Sequence, residues 1–253
     1  MYKLLDANFT RLKKNSVFWI LIIATILISI GALIGQYRGL LLSKKYDVPM
    51  KTTEELMLSF LAIIGFFIAT FTSIFVGAEY SNGTIRNKIV VGNSRIKIFL
   101  SNLITSIVVG LIIEFMYLIL IAIIAIPLFQ KIQLSASSLF FIIIDIIMII
   151  VAYSSLFNCI AMLCSDVIIS TIFSIILTLV LLISLQIISF KSNTILNIIP
   201  TRQAILMPYL LKNINVENND IDINIEKLSL YSAVFVLLVN SIGIYYFNKK
   251  NLK

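Results

Sequence analysis

The stretch Ser16–Gly35 reads SVFWILIIATILISIGALIG and contains no charged residue. A helix of about 20 apolar residues is long enough to cross the hydrocarbon core of a bilayer. Five further runs of this kind follow, and spans are therefore predicted at about 16–35, 56–78, 103–128, 138–163, 167–190 and 228–247. The runs lack the alternation of apolar and polar residues that is typical of transmembrane β-strands. The sequence predicts an all-α polytopic membrane protein with six transmembrane helices.

The overall composition agrees with this fold class and excludes several functions. Of the 253 residues, 60% are hydrophobic and only 13% are charged, whereas soluble domains carry about 25% charged residues. This balance excludes a soluble enzyme and a nucleic-acid-binding module. The chain contains no histidine, which excludes histidine-based catalysis and histidine metal sites. No metal site is predicted.

The distribution of basic residues predicts the orientation of the chain. The segments 1–15, 79–97, 164–166 and 248–253 would lie on one side, with eleven Lys and Arg against three acids. The opposite segments hold nine bases and seven acids. Because basic loops remain in the cytoplasm, we expect both termini inside and segment 191–227 outside.

Residues 1–15 are predicted to form a separate amphipathic helix before the transmembrane domain at 16–253. Leu5, Phe9 and Leu12 fall at helical spacing, with basic residues around them. One interpretation is a helix that lies on the lipid of the inner leaflet. The alternative is a basic flank that only sets the topology, and the pattern does not separate the two.

The loop at 79–97 reads EYSNGTIRNKIVVGNSRIK and has several local structure signals. Asn82 is a plausible N-cap for a short helix that Gly83 and Thr84 open. Gly92 and Asn93 indicate a left-handed stop, after which Ser94 can cap the next helix. The resulting basic surface could dock into an acidic groove of a soluble partner or lie on anionic lipid.

The pattern from Glu79 to Arg86, followed by Gly92 to Arg95, resembles the inter-span loop of type-2 ABC transporter permeases. The outline of the whole chain is similar to that family as well, with an amphipathic start, six spans and a long outer loop before the last span. The resemblance implies a type-2 ABC exporter permease-like bundle in which this loop is a coupling helix seated on an ATPase. The positions implied to take part in coupling are Glu79, Tyr80, Gly83, Thr84, Arg86, Lys88 and Arg95.

The resemblance also implies partners and a role. The chain has no Gly-x-x-x-x-Gly-Lys-[Ser/Thr] phosphate loop, so we expect no enzymatic activity and no cofactor on this chain. ATP and Mg would bind a separate ABC ATPase subunit. A second permease copy or a homologous permease would complete a dimer in a bacterial cell membrane. The expected function is export of an amphipathic or hydrophobic substrate such as a peptide, a bacteriocin or a drug.

Two acids fall inside predicted spans. Glu114 lies near mid-membrane and Asp145 about two turns from the outer end of its span, and no span contains a base. With Tyr153 and Asn158 they are candidates for the substrate path, because intramembrane acids are often functional. The structural alternative is a protonated acid, or one bonded to Tyr117, Tyr153 or Asn158. An ion-coupled carrier or channel that uses both acids, or a membrane sensor that transports nothing, remains an alternative function.

The outer segment 191–227 contains two prolines, Pro200 and Pro208, in an apolar stretch. Because proline interrupts a helix, the segment is predicted to form two short interfacial or re-entrant helices rather than a seventh span. The polar part, Lys212–Lys227, is predicted to be a solvated loop or a short hairpin.

Overall fold

The computed structural model describes residues 1–46, 52–129, 136–188, 197–214 and 225–250. These residues form ten α-helices and no β-strand. The helices are α1 (Tyr2–Lys13), α2 (Ser16–Tyr46), α3 (Thr53–Leu58), α4 (Leu61–Ser81), α5 (Thr84–Val90), α6 (Arg95–Leu128), α7 (Ala136–Cys164), α8 (Val167–Ile188), α9 (Pro200–Ile214) and α10 (Ile225–Lys249).

Six helical units of the described chain are long and apolar enough to cross a membrane: α2, α3 together with α4, α6, α7, α8 and α10. The predicted all-α architecture with six spans is therefore confirmed. Its physical basis is that hydrocarbon offers no partner to a backbone amide, so each span must satisfy its amides within its own helix. The predicted orientation of the termini stays a prediction.

The second span is the centre of the bundle. Helix α4 packs against α6, α7 and α8, and most of its side chains are buried. Ile64, Ile68 and Phe71 of α4 join Ile113 of α6 and Ile149 of α7 in one apolar core. Helices α2, α8 and α10 lie at the outside and expose many large apolar side chains, as expected for surfaces that meet lipid or another apolar partner.

Two glycines allow the central helices to approach each other closely. A Cβ on Gly110 of α6 would lie 2.7 Å from Cγ2 of Ile150 in α7. A Cβ on Gly77 of α4 would lie 2.8 Å from the Cα atom of Val167, the first residue of α8. Small residues at such crossings let the helix backbones pack without a gap.

The second span is interrupted near one end, which the predicted span 56–78 does not anticipate. Helix α3 ends at Leu58 and α4 begins at Leu61. The hydroxyl of Tyr117, on α6, donates to the carbonyl of Leu56 at 3.0 Å and lies 3.2 Å from the hydroxyl of Ser59. A side-chain donor from a neighbouring helix thus joins the N–H and hydroxyl of Ser59 at this carbonyl, where the helix is interrupted.

Several helix bounds differ from the predicted spans. Helix α2 continues past the predicted end at residue 35 to Tyr46, and α6 runs unbroken from Arg95 to Leu128. At about 1.5 Å per residue both helices exceed the roughly 30 Å hydrocarbon core, so they must tilt or project from it. The loop at 79–97 therefore leads directly into the rigid third span.

The outer segment forms one helix in its described part, and the prediction of two short helices is wrong. Pro200 occupies the first position of α9, where its missing N–H is no loss. The helix then continues through Pro208. It packs against α3, α4, α7 and α8, so tertiary contacts offset the lost hydrogen bond. Of the predicted loop or hairpin at Lys212–Lys227, residues 215–224 lie outside the described residues.

Candidate functional site

The loop at 79–97 contains a short helix between two glycine turns. Gly83, with φ of +64°, is the N-cap of α5, and Gly92, with φ of +92°, follows its end. The prediction that Asn82 caps this helix is wrong, because the chain reverses through a left-handed residue that glycine adopts without strain. Thr84 Oγ1 donates to the carbonyl of Glu79 at 2.8 Å. Ser94 accepts from the N–H of Lys97, which confirms its predicted role as the cap of α6.

Glu79, near the end of α4, is fully buried and holds three helices together. Its Oε1 accepts from Arg11 Nη1 of α1 at 2.6 Å and also from Lys88 Nζ of α5. Its Oε2 accepts from Asn102 Nδ2 of α6 at 2.9 Å. The carboxylate therefore receives charge-assisted bonds from two cations and one amide, which are the strong kind of hydrogen bond in proteins.

Asn8 closes this network from α1. Its Nδ2 donates to Asn102 Oδ1 at 2.8 Å, and its Oδ1 accepts from Lys88 Nζ at 3.2 Å. Arg11 Nη2 donates to the carbonyl of Phe75 at 3.0 Å, and the guanidinium lies 3.6 Å from the centroid of that ring. We call the side chains of Asn8, Arg11, Glu79, Lys88 and Asn102 the Glu79 cluster.

A second set of contacts joins the loop to the ends of α7 and α10. The hydroxyl of Tyr80 donates to the carbonyl of Met162 at 2.6 Å, and Lys250 Nζ donates to the same oxygen at 2.9 Å. Arg95 Nη1 donates to the carbonyl of Phe247 at 2.8 Å. The last carbonyls of a helix lack intrahelical partners and carry partial negative charge, so cations at these positions stabilise both helix ends.

Burial changes the acidity of two of these cations. Desolvation lowers the pKa of Arg11, while the Glu79 carboxylate acts in the opposite direction. Desolvation also lowers the pKa of Lys250, while Cys164 acts electrostatically in the opposite direction. In the Glu79 cluster two cations share one carboxylate. Loss of that carboxylate would leave both cations without a counter-ion in a shielded site.

The opposite side of the loop is exposed. Its exposed residues from the end of α4 to the second glycine turn are Ser81, Asn82, Arg86, Asn87, Val90, Val91 and Gly92. Val90 and Val91 are 78% and 81% exposed. The sequence analysis missed these two valines, although their offset from the inward-facing Ile85 and Ile89 on a helix could have revealed them.

The structure thus divides the predicted coupling residues into two groups. Glu79, Tyr80, Lys88 and Arg95 point into the bundle and hold the loop in place. Thr84 and Gly83 shape the start of α5 and are partly buried. Arg86 is the predicted coupling residue that is exposed, and Asn82, Asn87, Val90 and Val91 extend its surface.

The candidate substrate-path residues within the spans are buried inside this one chain. Glu114, Asp145, Tyr153 and Asn158 are each at most 2% exposed. Neither carboxylate oxygen of Glu114 has a hydrogen-bond partner among the described residues. The suggested bond to Tyr117 does not form, since that hydroxyl donates to a backbone carbonyl of α3. Asp145 accepts from the backbone N–H of Ser229.

Comparison with known families identifies the family to which the chain belongs. Residues 4–185 match a family described as ABC-2 family transporter protein. The match includes α1, the Glu79 cluster and α5, and it ends within α8. None of the curated proteins compared matches the chain. Because the match covers more than half of its length, the chain belongs to the ABC-2 family of transporter proteins and is a multi-pass membrane permease subunit of an ABC transporter.

Proposed function

We propose that this permease serves an ATP-driven exporter and docks a separate ATPase subunit through the exposed face of α5. ATP and Mg bind that subunit, and this chain contributes half of the translocation path. The observation that carries the proposal is the exposed face itself, defined by Asn82, Arg86, Asn87, Val90 and Val91. Both termini and α5 then lie in the cytoplasm, in agreement with the positive charge of these segments.

The chemistry of this face suits a protein groove. Two adjacent valines with most of their surface in solvent form an apolar tip, and such tips are commonly covered by a partner. Arg86 beside them can pair with an acidic group on the rim of the groove. The Asn82 and Asn87 amides offer both donors and acceptors for polar contacts around the apolar centre.

The second half of the path would come from another copy of this chain or a homologous permease. The exposed apolar sides of α2, α8 and α10 are available for that partner and for lipid. The proposed cargo is amphipathic or hydrophobic, such as a peptide, a bacteriocin or a drug. Glu114, Asp145, Tyr153 and Asn158 would reach this cargo only after α6 and α7 move, because all four are sealed within the chain in this conformation.

The docking role is tested by changes confined to the exposed face. Arg86→Glu and Val90→Asp should each lower the ATPase rate of the reconstituted complex at least about tenfold, as for residues central to an interface. The ATPase is the subunit that co-purifies with the tagged chain. Lys13→Glu, on the exposed side of α1, is the matched charge reversal and should leave the rate unchanged.

Lys88→Glu is not a suitable docking variant, although Lys88 is a predicted coupling residue. It would place a second carboxylate against Glu79 inside the Glu79 cluster and so disturb folding.

An ATPase rate that stays at the wild-type level in both Arg86→Glu and Val90→Asp would contradict docking through α5.

A further inference from the structure

Helix α1 and helix α5 are joined through buried polar side chains. Helix α1 packs on α6, and α5 is continuous with the turn that ends α4. Lys88 of α5 extends inward to Glu79 and to Asn8 of α1. Arg11 of α1 binds the same carboxylate oxygen of Glu79 as Lys88 does. One acid thus connects the N-terminal helix to the coupling helix.

The buried side of α1 is built for this contact rather than for lipid. Its buried residues are Leu4, Asn8 and Leu12, with the asparagine between the two leucines. Sequence analysis favoured Leu5, Phe9 and Leu12 as the apolar side, whereas Leu5 and Phe9 are only partly buried. An asparagine at the centre of a face that enters lipid would lose its hydrogen bonds. Here it donates to Asn102 and accepts from Lys88.

Helix α5 needs such support because it is short. It has seven residues, and isolated helices of fewer than about 12 residues are marginal even when the sequence favours helix. Of its side chains only Ile85 is buried. Left-handed glycines, Gly83 and Gly92, flank it on both sides. The ion pair of Lys88 with Glu79 therefore adds to the contacts of Ile85, Ile89 and Thr84 that hold α5 against the bundle.

We propose that α1 is a brace that fixes the position of α5, with Arg11 as a positioning residue that acts through Glu79 and Asn8 as one that acts through Lys88. Arg11 holds the Glu79 carboxylate in the place where Lys88 reaches it. The effect of this brace on transport rests on the proposed function, in which α5 docks the ATPase. Loss of the brace should loosen α5, although the residues of its exposed docking face are unchanged.

The brace itself is tested by hydrogen–deuterium exchange of the full chain in lipid nanodiscs. Within residues 84–90 the hydrogen-bonded amides are those from Asn87 onward, and in Arg11→Leu their exchange should rise about tenfold or more, as expected when a hydrogen bond to a charged group is lost. Exchange in α7 and α8 should stay at the wild-type level. Lys13→Leu removes a charge from the exposed side of the same helix and should change nothing. Arg11→Lys, which keeps the cation, should restore much of the protection.

Two outcomes would overturn the brace. One is wild-type exchange of residues 84–90 in Arg11→Leu, and the other is an equal rise of exchange throughout the chain. If Arg11→Leu fails to fold, Arg11→Gln replaces it, because glutamine keeps one donor for Glu79. The same criteria then apply to Arg11→Gln, with loosened α5 as the expected result.

An ATPase measurement separates this proposal from the docking proposal. In the purified complex, Arg11→Leu should retain the bound ATPase subunit but lose most of its stimulated activity. If Arg11→Leu loosens α5 while Val90→Asp leaves the ATPase rate unchanged, the brace holds and docking through α5 fails. If Val90→Asp lowers the rate while Arg11→Leu leaves residues 84–90 protected, docking holds and the brace fails.

Discussion

Two buried glutamates of this chain have opposite electrostatic surroundings. Glu79 and Glu114 are both fully shielded within the chain. Glu79 accepts from Arg11, Lys88 and Asn102, whereas Glu114 accepts no hydrogen bond from the described residues. The same residue type is therefore a charged junction between helices in one place and, in the part of the chain that the structure describes, a group without a hydrogen-bond partner in the other.

The difference follows from where the bases lie. Every Lys and Arg is outside the predicted spans, so only an acid near a helix end can be reached by a cation. Arg11 and Lys88 reach Glu79 because their long side chains bridge from neighbouring helices. An ionised Glu114 would lack this compensation in a low-dielectric interior, and we therefore expect it to carry its proton.

The largest expected effect is that of removing each carboxylate with leucine. Glu79→Leu leaves two cations of the Glu79 cluster without a counter-ion and should cost about 3–5 kcal/mol. Glu114→Leu removes an unpaired polar group and should cost little or even stabilise the fold. The yield of monodisperse protein on size-exclusion chromatography in detergent compares the two. A larger loss of yield for Glu114→Leu than for Glu79→Leu would mean that Glu114, and not Glu79, is the acid whose carboxylate stabilises the fold.

A smaller effect is expected when glutamine replaces each acid, because shape and hydrogen-bonding groups are kept. Glu79→Gln weakens charge-assisted bonds to Arg11 and Lys88 and should cost about 1.5–3 kcal/mol. Glu114→Gln replaces one neutral group with another and should leave the thermal midpoint of the detergent-solubilised protein nearly unchanged. A marked drop for Glu114→Gln would indicate an ionised or hydrogen-bonded carboxylate at that position.

An added methyl group next to the Glu79 cluster should also destabilise the fold more than an added methyl group on the exposed first span. Gly77→Ala places a methyl group 2.8 Å from the backbone of Val167, which a side-chain rotation cannot relieve, and should cost about 1–3 kcal/mol. Gly35→Ala meets no atom within 4 Å and is the matched control. Thermal midpoints of both variants in one detergent test this, and equal midpoints would mean that the α4–α8 crossing is looser than described.

The smallest effect concerns one hydrogen bond at the same end of the bundle. Tyr80→Phe keeps the ring and removes the donor to the carbonyl of Met162, for a loss of about 1 kcal/mol. Tyr37→Phe, on an exposed part of α2, is the control with no comparable expected loss. If Tyr80→Phe and the control have equal thermal midpoints, the hydrogen bond from Tyr80 contributes little, and Lys250 is the main partner of the Met162 carbonyl.

The sequence predicts the spans well because their signal is local. A run such as Ser16–Gly35 must be helical in lipid whatever its neighbours are. The end of α5 and the start of α6 were predictable for the same reason, since Gly92 and Ser94 act through their own backbone or the next turn, whereas the cap of α5 was wrongly predicted at Asn82 instead of Gly83. These features need no knowledge of tertiary contacts.

What the sequence did not predict depends on partners that are distant along the chain. Asn8 looks like an ordinary polar residue of an amphipathic helix until Asn102 and Lys88 are beside it. The inward direction of Lys88 likewise depends on Glu79, and the contact of Tyr117 with the break after α3 depends on the packing of α6. Which of the predicted coupling residues are buried anchors was therefore not readable from their spacing.

The central claim is that the exposed face at the end of α5 contacts the ATPase subunit. A photo-reactive amino acid placed at Val91 in the full chain tests this most directly, with the same group at Leu237 on the exposed side of α10 as the control. After irradiation in cell membranes, the account predicts an adduct at Val91 whose mass-spectrometric identity is an ABC ATPase, and no such adduct at Leu237. Cross-linking of Val91 to lipid alone, or equal ATPase adducts at both positions, would contradict it.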